Sequence, residues 1–162
     1  MADIKTKEER SRNMAAIRSK DTKPEMLVRR FLHGAGYRYR LHDRKLPGCP
    51  DLVFPSLRTV IFIHGCFWHG HENCKYFRLP KSNTEFWQTK IEKNRARDQR
   101  DFEALHKIGW NVIVIWECEL KTEVLRQQTF SRLADIFNRT YTNTDNSIAE
   151  VAEPKMPYSN KI

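Results

Sequence analysis

The sequence predicts an α/β domain, a mixed sheet with helices on both faces. Three observations carry this. The hydrophobic pattern runs in the order α-α-β-β-β-α-β-α, which suits a sheet layered between helices. The segments Asp51–Phe54, Thr59–Ile63 and Asn111–Trp116 are short and almost continuously apolar, as strands covered on both sides are. The chain has 162 residues, 40% of them hydrophobic, enough for one core without disulfide staples.

The elements follow in order. Residues 6–19 are expected to be helical, with Met14, Ala15 and Ile17 as a narrow apolar stripe on a basic segment. So narrow a stripe suits an arm lying on a partner better than a core helix. Thr22 and Glu25 have capping-box spacing and Pro24 suits a first turn, so a helix should start at residues 21–25 and stop at Gly34/Gly36. Tyr37–Leu41 alternates like a strand, and Pro47-Gly48-Cys49-Pro50 is a turn before the strand at Asp51. Residues 64–79 form an irregular loop rich in Cys, His and aromatics. The longest helix should run from Asn83-Thr84-Glu85 to about Ile108 and close at Gly109. A last helix is expected from Thr122 to about Arg139, with Leu125, Leu133, Ile136 and Phe137 on its apolar face. Residues 140–162 are rich in Thr, Asn and Pro, and are expected to be a flexible tail.

No apolar run approaches the roughly 18 residues of a membrane span. The polar start, MADIKTKEERSRNM, has no secretory core, so the protein is expected to be cytoplasmic and its four cysteines reduced or metal-bound. The net charge is +9 and lies on one side of the chain: residues 1–40 carry +6, residues 41–100 carry +5 and residues 101–162 carry −2. A one-sided basic field attracts polyanions, nucleic acid first among them, although a merely soluble basic protein would share the arithmetic.

The segment HGCFWHGHENC, residues 64–74, offers Cys66, His69, His71 and Cys74, and Cys118 follows the last strand. Three thiols and one imidazole would make a closed, structural zinc site. Spacing alone leaves His69 and His71 equivalent as the nitrogen ligand. Cys49, in its own turn, is expected to be unliganded. On the long helix, Asp98 falls at the centre of the apolar stripe: with Asp98 at 0°, Trp87 and Leu105 lie near about −20°, Ile91 near about +20° and Phe102 near about +40°. A carboxylate there needs a partner, either an arginine or an imidazole from the His-rich loop. Asp51 is the second notable carboxylate. It opens one strand beside another that ends at His64, a layout suited to metal-dependent phosphodiester cleavage.

The chain resembles the very short patch repair endonucleases (Vsr) over about residues 1–120. The resemblance is carried by RSRNMAAIRSKDTKPE, LPGCPDLVF, VIFIHGCFWHGHENC, EFWQTKIEKNRARD and GWNVIVIWECEL. It implies a restriction-endonuclease-like fold related to the PD-(D/E)xK nucleases, with residues 1–20 as a DNA-binding arm and residues 21–139 as the endonuclease domain. Pro50-Asp51 matches the PD, whereas Phe62-Ile63-His64 replaces the (D/E)xK tripeptide. By this resemblance Asp51 and the Ile63 carbonyl hold Mg²⁺, His69 is the general base and Asp98 orients it. Glu25 would stand near the metal, and His64 near the scissile phosphate. The zinc ligands are then Cys66, His71, Cys74 and Cys118.

The resemblance also implies that Phe67, Trp68 and Trp87 wedge into the base stack from one groove while Met14 and Ile17 enter the other. A core position remains the other reading of Trp87. The implied activity is nicking of one DNA strand 5′ to the T of a T·G mismatch left by 5-methylcytosine deamination. A monomeric enzyme, a functional link to a cytosine-5 methyltransferase and accessory mismatch-repair proteins belong to the same picture. The competing readings are a restriction-type endonuclease of the same fold and a zinc-stabilised DNA-binding protein without catalysis.

Overall fold

The computed structural model describes residues 5–148, with side chains through Asn143. Helix α1 is Lys7–Ala15 and α2 is Lys23–Gly34. Strands β1 (Arg40–Leu41), β2 (Leu52–Phe54) and β3 (Thr59–His64) precede α3 (Thr84–Lys107), and β4 (Asn111–Trp116) precedes α4 (Glu123–Ile148). The sheet order is β1-β2-β3-β4. The first three strands pair antiparallel, and β3 pairs with β4 in parallel across the α3 connection.

Side-chain alternation sorts the core into two layers. Leu52, Phe54, Ile61 and Ile115 face Val28 and Leu32 of α2 and Leu133 and Phe137 of α4. Val53, Val60 and Phe62 face Leu105 and Phe102 of α3. Helices therefore cover both faces. Burial is complete along β2 and nearly so along β3, but β4, at the sheet edge, has a single buried residue, Ile115. No helix among the described residues is long and apolar enough to cross a membrane.

Several elements differ from expectation. Helix α1 stops at Ala15 rather than residue 19, because the chain turns at Asp21 (φ 54°) into the Thr22 cap of α2. Its N-terminus carries a capping box between Thr6 and Glu9. No residue of α1 is buried, and Met14 and Ile17 are 43% and 49% exposed. Only Arg40 and Leu41 of the expected first strand find a ladder partner.

The flexible tail expected from residue 140 needs correction. Helix α4 continues to Ile148. The buried residues Leu133 and Phe137 are followed at the same four-residue spacing by partly buried Tyr141, so the apolar stripe continues past Arg139. The Thr140 and Thr142 hydroxyls donate to the Ile136 and Arg139 carbonyls, so they keep rather than break the helix. The rest of the expected tail, residues 149–162, lies outside the described residues.

Candidate active site

Two side-chain clusters flank one glycine. Gly70 has φ 59°, and a Cβ there would meet Arg95 Nε and Ile91 Cγ2 of α3 at 2.5 Å. Only glycine lets the loop lie this close to the helix. Arg95 also donates to the Gly70 carbonyl. The loop is thus pinned to α3, and its two flanking histidines diverge.

His69 turns toward α3. Its Nδ1 is 2.5 Å from Asp98 Oδ2. Burial alone would push the Asp98 carboxyl up, but the hydrogen bond and charge of His69, with Arg97 beside it, hold it below its ordinary value. Asp98 is therefore ionised and accepts from Nδ1–H, which leaves Nε2 as the ring nitrogen that the carboxylate does not engage. The His64 ring stacks on His69 at 3.6 Å and 8°. Burial, followed by the charge of His69, pushes His64 down to about 3, so it is a neutral imidazole and not the cation that a lysine would be. Asp51, His64, His69 and Asp98 line one cleft of about 390 Å³ together with Cys49.

Asp51 enters this cleft from β2. Its Oδ2 accepts from Ile63 N–H at 2.7 Å, while Oδ1 is 3.8 Å from His42 Nδ1. Burial pushes the Asp51 carboxyl up to about 6, with the neighbouring Glu25 charge adding to it and the Ile63 hydrogen bond opposing it. The sign matters for stability. A carboxylate with a raised folded-state pKa costs stability where both states are ionised, above pH about 6. The cost vanishes below about pH 4, where both hold the proton. Asp51→Asn is therefore expected to stabilise the chain, in the absence of divalent ions, by roughly 1–3 kcal/mol at pH 8 and to change nothing near pH 4. Urea unfolding at the two pH values measures this. Equal stability of the two proteins at pH 8 would contradict it.

Glu25 does not complete the capping box that its spacing suggests. Thr22 Oγ1 accepts from Glu25 N–H at 3.4 Å, but the carboxylate turns inward, 2% exposed, and binds Arg29 and His42. His42 carries no motif signal. The β1–β2 register, Leu41 opposite Leu52, sets it across from Asp51, and its N–H donates to the Asp51 carbonyl at 3.2 Å.

His71 turns the other way. Its Nδ1 lies 3.5 Å from Cys66 Sγ and 3.4 Å from Cys118 Sγ, and the ligand atoms of Cys66, His71, Cys74 and Cys118 are all within 4.8 Å of one another. Ideal tetrahedral zinc–sulfur and zinc–nitrogen bonds imply an S···N edge of about 3.6 Å. The donor set therefore fits one tetrahedral ion. Burial and the other two thiols push the Cys66 thiol up, a repulsion that a bound cation cancels. Trp116 at the end of β4 stacks on His71 at 4.0 Å and fixes the ring plane. Cys49 stands apart from this set, in a turn at φ 50°.

An aromatic cluster completes the loop. Phe67 packs 5.2 Å from Trp68 and 5.3 Å from Trp87, and Trp68 lies 5.9 Å from Trp87. Trp87 is half-buried in this cluster and belongs to neither core layer. Lys90 lies over the Trp68, Phe86 and Trp87 rings, within 5.9 Å of each. A groove of about 960 Å³ runs from Ile17 and Arg18 past Lys23 and Arg30 to Trp68 and His69. Met14 is not among its lining residues.

A carboxylate-held imidazole, a second carboxylate and a basic approach are the equipment of a hydrolase acting on a polyanion. Comparison with known proteins names the kind. The family described as DNA mismatch endonuclease Vsr matches residues 2–75. The chain is 56% identical over 120 residues to the type II nicking enzyme V.XorIIP of Xanthomonas oryzae, covering 74% of this chain and 88% of that protein. It is 51% identical over 133 residues to the type II nicking enzyme V.NmeAIP of Neisseria meningitidis, covering 82% and 94%. Identity to the DNA mismatch endonuclease Vsr of Escherichia coli is 48% over 121 residues, covering 75% and 77%. The chain belongs to the Vsr family of DNA mismatch endonucleases.

Proposed function

We propose that the chain nicks one strand of duplex DNA 5′ to the T of a T·G mismatch left by 5-methylcytosine deamination, and so initiates very short patch repair. The observation that carries this is the double use of one loop: residues 64–71 contribute both the Asp98-held imidazole and the Phe67–Trp68 pair of the aromatic cluster. Cleavage and mismatch sensing are then rigidly linked. Wedging apolar side chains between bases costs less at a mispair, so an aromatic cluster beside the cleft favours mismatched duplex. Phe67, Trp68 and Trp87 are the wedge in this reading, with Met14 and Ile17 of the basic arm opposite.

The fold in this reading is restriction-endonuclease-like, with Pro50-Asp51 at the head of β2. His69 Nε2 takes a proton from the attacking water, and Asp98 fixes the tautomer that makes this nitrogen available. His64, neutral and stacked on His69, serves as a hydrogen-bonding group toward the scissile phosphate. Asp51 and the Ile63 carbonyl would hold Mg²⁺, which when bound would supply charge stabilisation at the phosphate oxygens. Zn²⁺ is the ion for Cys66, His71, Cys74 and Cys118, a closed donor set without an open position. A monomeric, cytoplasmic enzyme working beside a cytosine-5 methyltransferase and accessory mismatch-repair proteins fits this role.

The test is end-labelled duplexes, identical but for one base pair, incubated with Mg²⁺ or with chelator. The expected result is one nick, on the T strand, in the T·G duplex alone and only with Mg²⁺. Equal cutting of the matched duplex would favour a restriction-type endonuclease. Binding without any cutting would make the chain a DNA-binding protein.

A further inference from the structure

Arg97 is the charged side chain of the cleft that this reading leaves without a task. It stands one residue before Asp98 on α3, its side chain 51% exposed, and lines the cleft beside Asp51, His64 and His69. Among the described residues its hydrogen bond is to Asp98, with Nη2 donating to Oδ1 at 3.3 Å. A tight guanidinium–carboxylate pair closes to about 2.7–2.9 Å, so this contact is loose and leaves most of the fork free. The other Asp98 oxygen, Oδ2, holds His69. The guanidinium therefore sits beside the carboxylate of the general base and not out along a solvated helix face.

The charges of the cleft show what such a group can do. Its lining includes three carboxylates, Asp51, Asp98 and Asp101, and one permanent cation, Arg97. Arg100 lies 3.8 Å from Asp101 but is outside the lining, and Lys23 and Arg30 line the neighbouring groove instead. A phosphodiester entering here adds negative charge, and attack by water concentrates more of it on the non-bridging oxygens. An ion held by Asp51 would meet the phosphate from the β2 wall. On the α3 wall the one positive group is Arg97. Phe62-Ile63-His64 carries no lysine, and the His64 ring is buried between His69 at 3.6 Å and Trp116 at 5.4 Å. Such a site suits a neutral donor and not a charge.

We propose that Arg97 is a catalytic residue: its guanidinium binds a non-bridging oxygen of the scissile phosphate and stabilises the charge that gathers there as the strand is cut. The proposal rests on the nicking reaction given above. In that reaction the water oxygen bonds to phosphorus, its proton goes to His69 Nε2, and the bond to the departing ribose oxygen breaks, that oxygen taking a proton from solvent. Arg97 gains and loses no proton, and its planar fork suits a phosphate better than a single ammonium does.

Single-turnover nicking of a T·G duplex by saturating full-length, zinc-containing enzyme with Mg²⁺ tests it. The scissile phosphate is unmodified or one of the two phosphorothioate diastereomers. Arg97→Met should slow nicking of the unmodified duplex on the order of 10²–10³-fold, the range for losing one donor to a developing oxyanion, with T·G binding within about threefold of the wild type. Arg97→Lys keeps the charge without the fork and should lie between. The signature is in the sulfur. In the wild type one diastereomer sets sulfur, a weaker acceptor, against Arg97 and is slowed. That slowing should disappear in Arg97→Met, while the other diastereomer keeps its wild-type penalty.

Unchanged sulfur penalties in both variants would show that Arg97 acts only through Asp98, and would overturn the proposal. So would a loss confined to binding with the saturated rate intact, the mark of a general backbone contact. A wild-type chain unable to nick would instead overturn the reaction itself, and this assignment with it. Arg97 is half-exposed, so both variants should keep the wild-type melting temperature. Were Arg97→Met to misfold, the sulfur series in Arg97→Lys would decide.

Discussion

His69→Ala is expected to cut the single-turnover nicking rate by roughly 10²–10⁴-fold or more, the range for a positioned general base. The reason is specific to its surroundings. Asp98 Oδ2 holds Nδ1 at 2.5 Å, so the other ring nitrogen is the basic one. The neighbouring His64 lies within 4.8 Å of the same carboxylate, but the hydrogen bond to Asp98 is made by His69 alone of the two. Asp98→Asn should fall between wild type and His69→Ala. The amide can present N–H to the imidazole and so favour the wrong tautomer, as well as removing the charge that stabilises the imidazolium. Both variants should bind T·G duplex as tightly as the wild type and retain the metal of the thiol cluster. Rates on a labelled T·G duplex, with binding and metal content measured in parallel, decide the matter. An undiminished rate in His69→Ala would move the base to His64.

The second large effect is expected at the thiol cluster. Cys118→Ala or His71→Ala should release the ion and lower the melting temperature, not merely slow the reaction. A bound ion would tie Cys118, two residues past β4, to the loop after β3, and would replace thiol–thiol repulsion with metal–sulfur bonds. Structural zinc contributes apparent free energies of about 10–16 kcal/mol in small peptides, so losing one of four ligands should remove a substantial share of this chain's stability. Metal analysis and thermal unfolding of the purified variants provide the check. A metal-free chain as stable as the wild type would refute the assignment. The contrast with His69→Ala is the informative part: two histidines separated by one glycine should fail in different ways.

Much of this arrangement is legible in the sequence because it depends on local periodicity. The position of Asp98 on the apolar side of α3 follows from counting 100° per residue, and the 24 residues of α3 follow from its start at Thr84 and the Gly109 stop. The three thiols of the candidate metal cluster are legible from residue type, whereas spacing leaves His69 and His71 equivalent as the fourth donor. What escapes is whatever depends on register or on non-local pairing. His42 faces Asp51 only because Leu41 pairs with Leu52, and a strand of two residues leaves no alternation to read. Glu25 fits a capping box by spacing, yet its carboxylate turns inward to Arg29, four residues on, and to His42. That competition between a local cap and a buried ion pair is decided by tertiary packing. The extension of α4 is a different case. The Leu133–Phe137–Tyr141 spacing is visible, but the Thr and Asn content there argues for a loop until the hydroxyls are seen bonded back to the helix.

Gly70 has a consequence for how the two clusters answer to each other. The loop is fastened to α3 through Arg95 and leaves one residue between the imidazole held by Asp98 and the imidazole among the thiols. Occupancy at one end and orientation at the other are therefore linked variables. Linkage is reciprocal: whatever free energy the ion contributes to keeping His69 on Asp98, the His69–Asp98 contact returns to retention of the ion. An ion bound at the thiol cluster would thus act as an effector of the neighbouring imidazole, with a coupling transmitted through three consecutive residues of backbone.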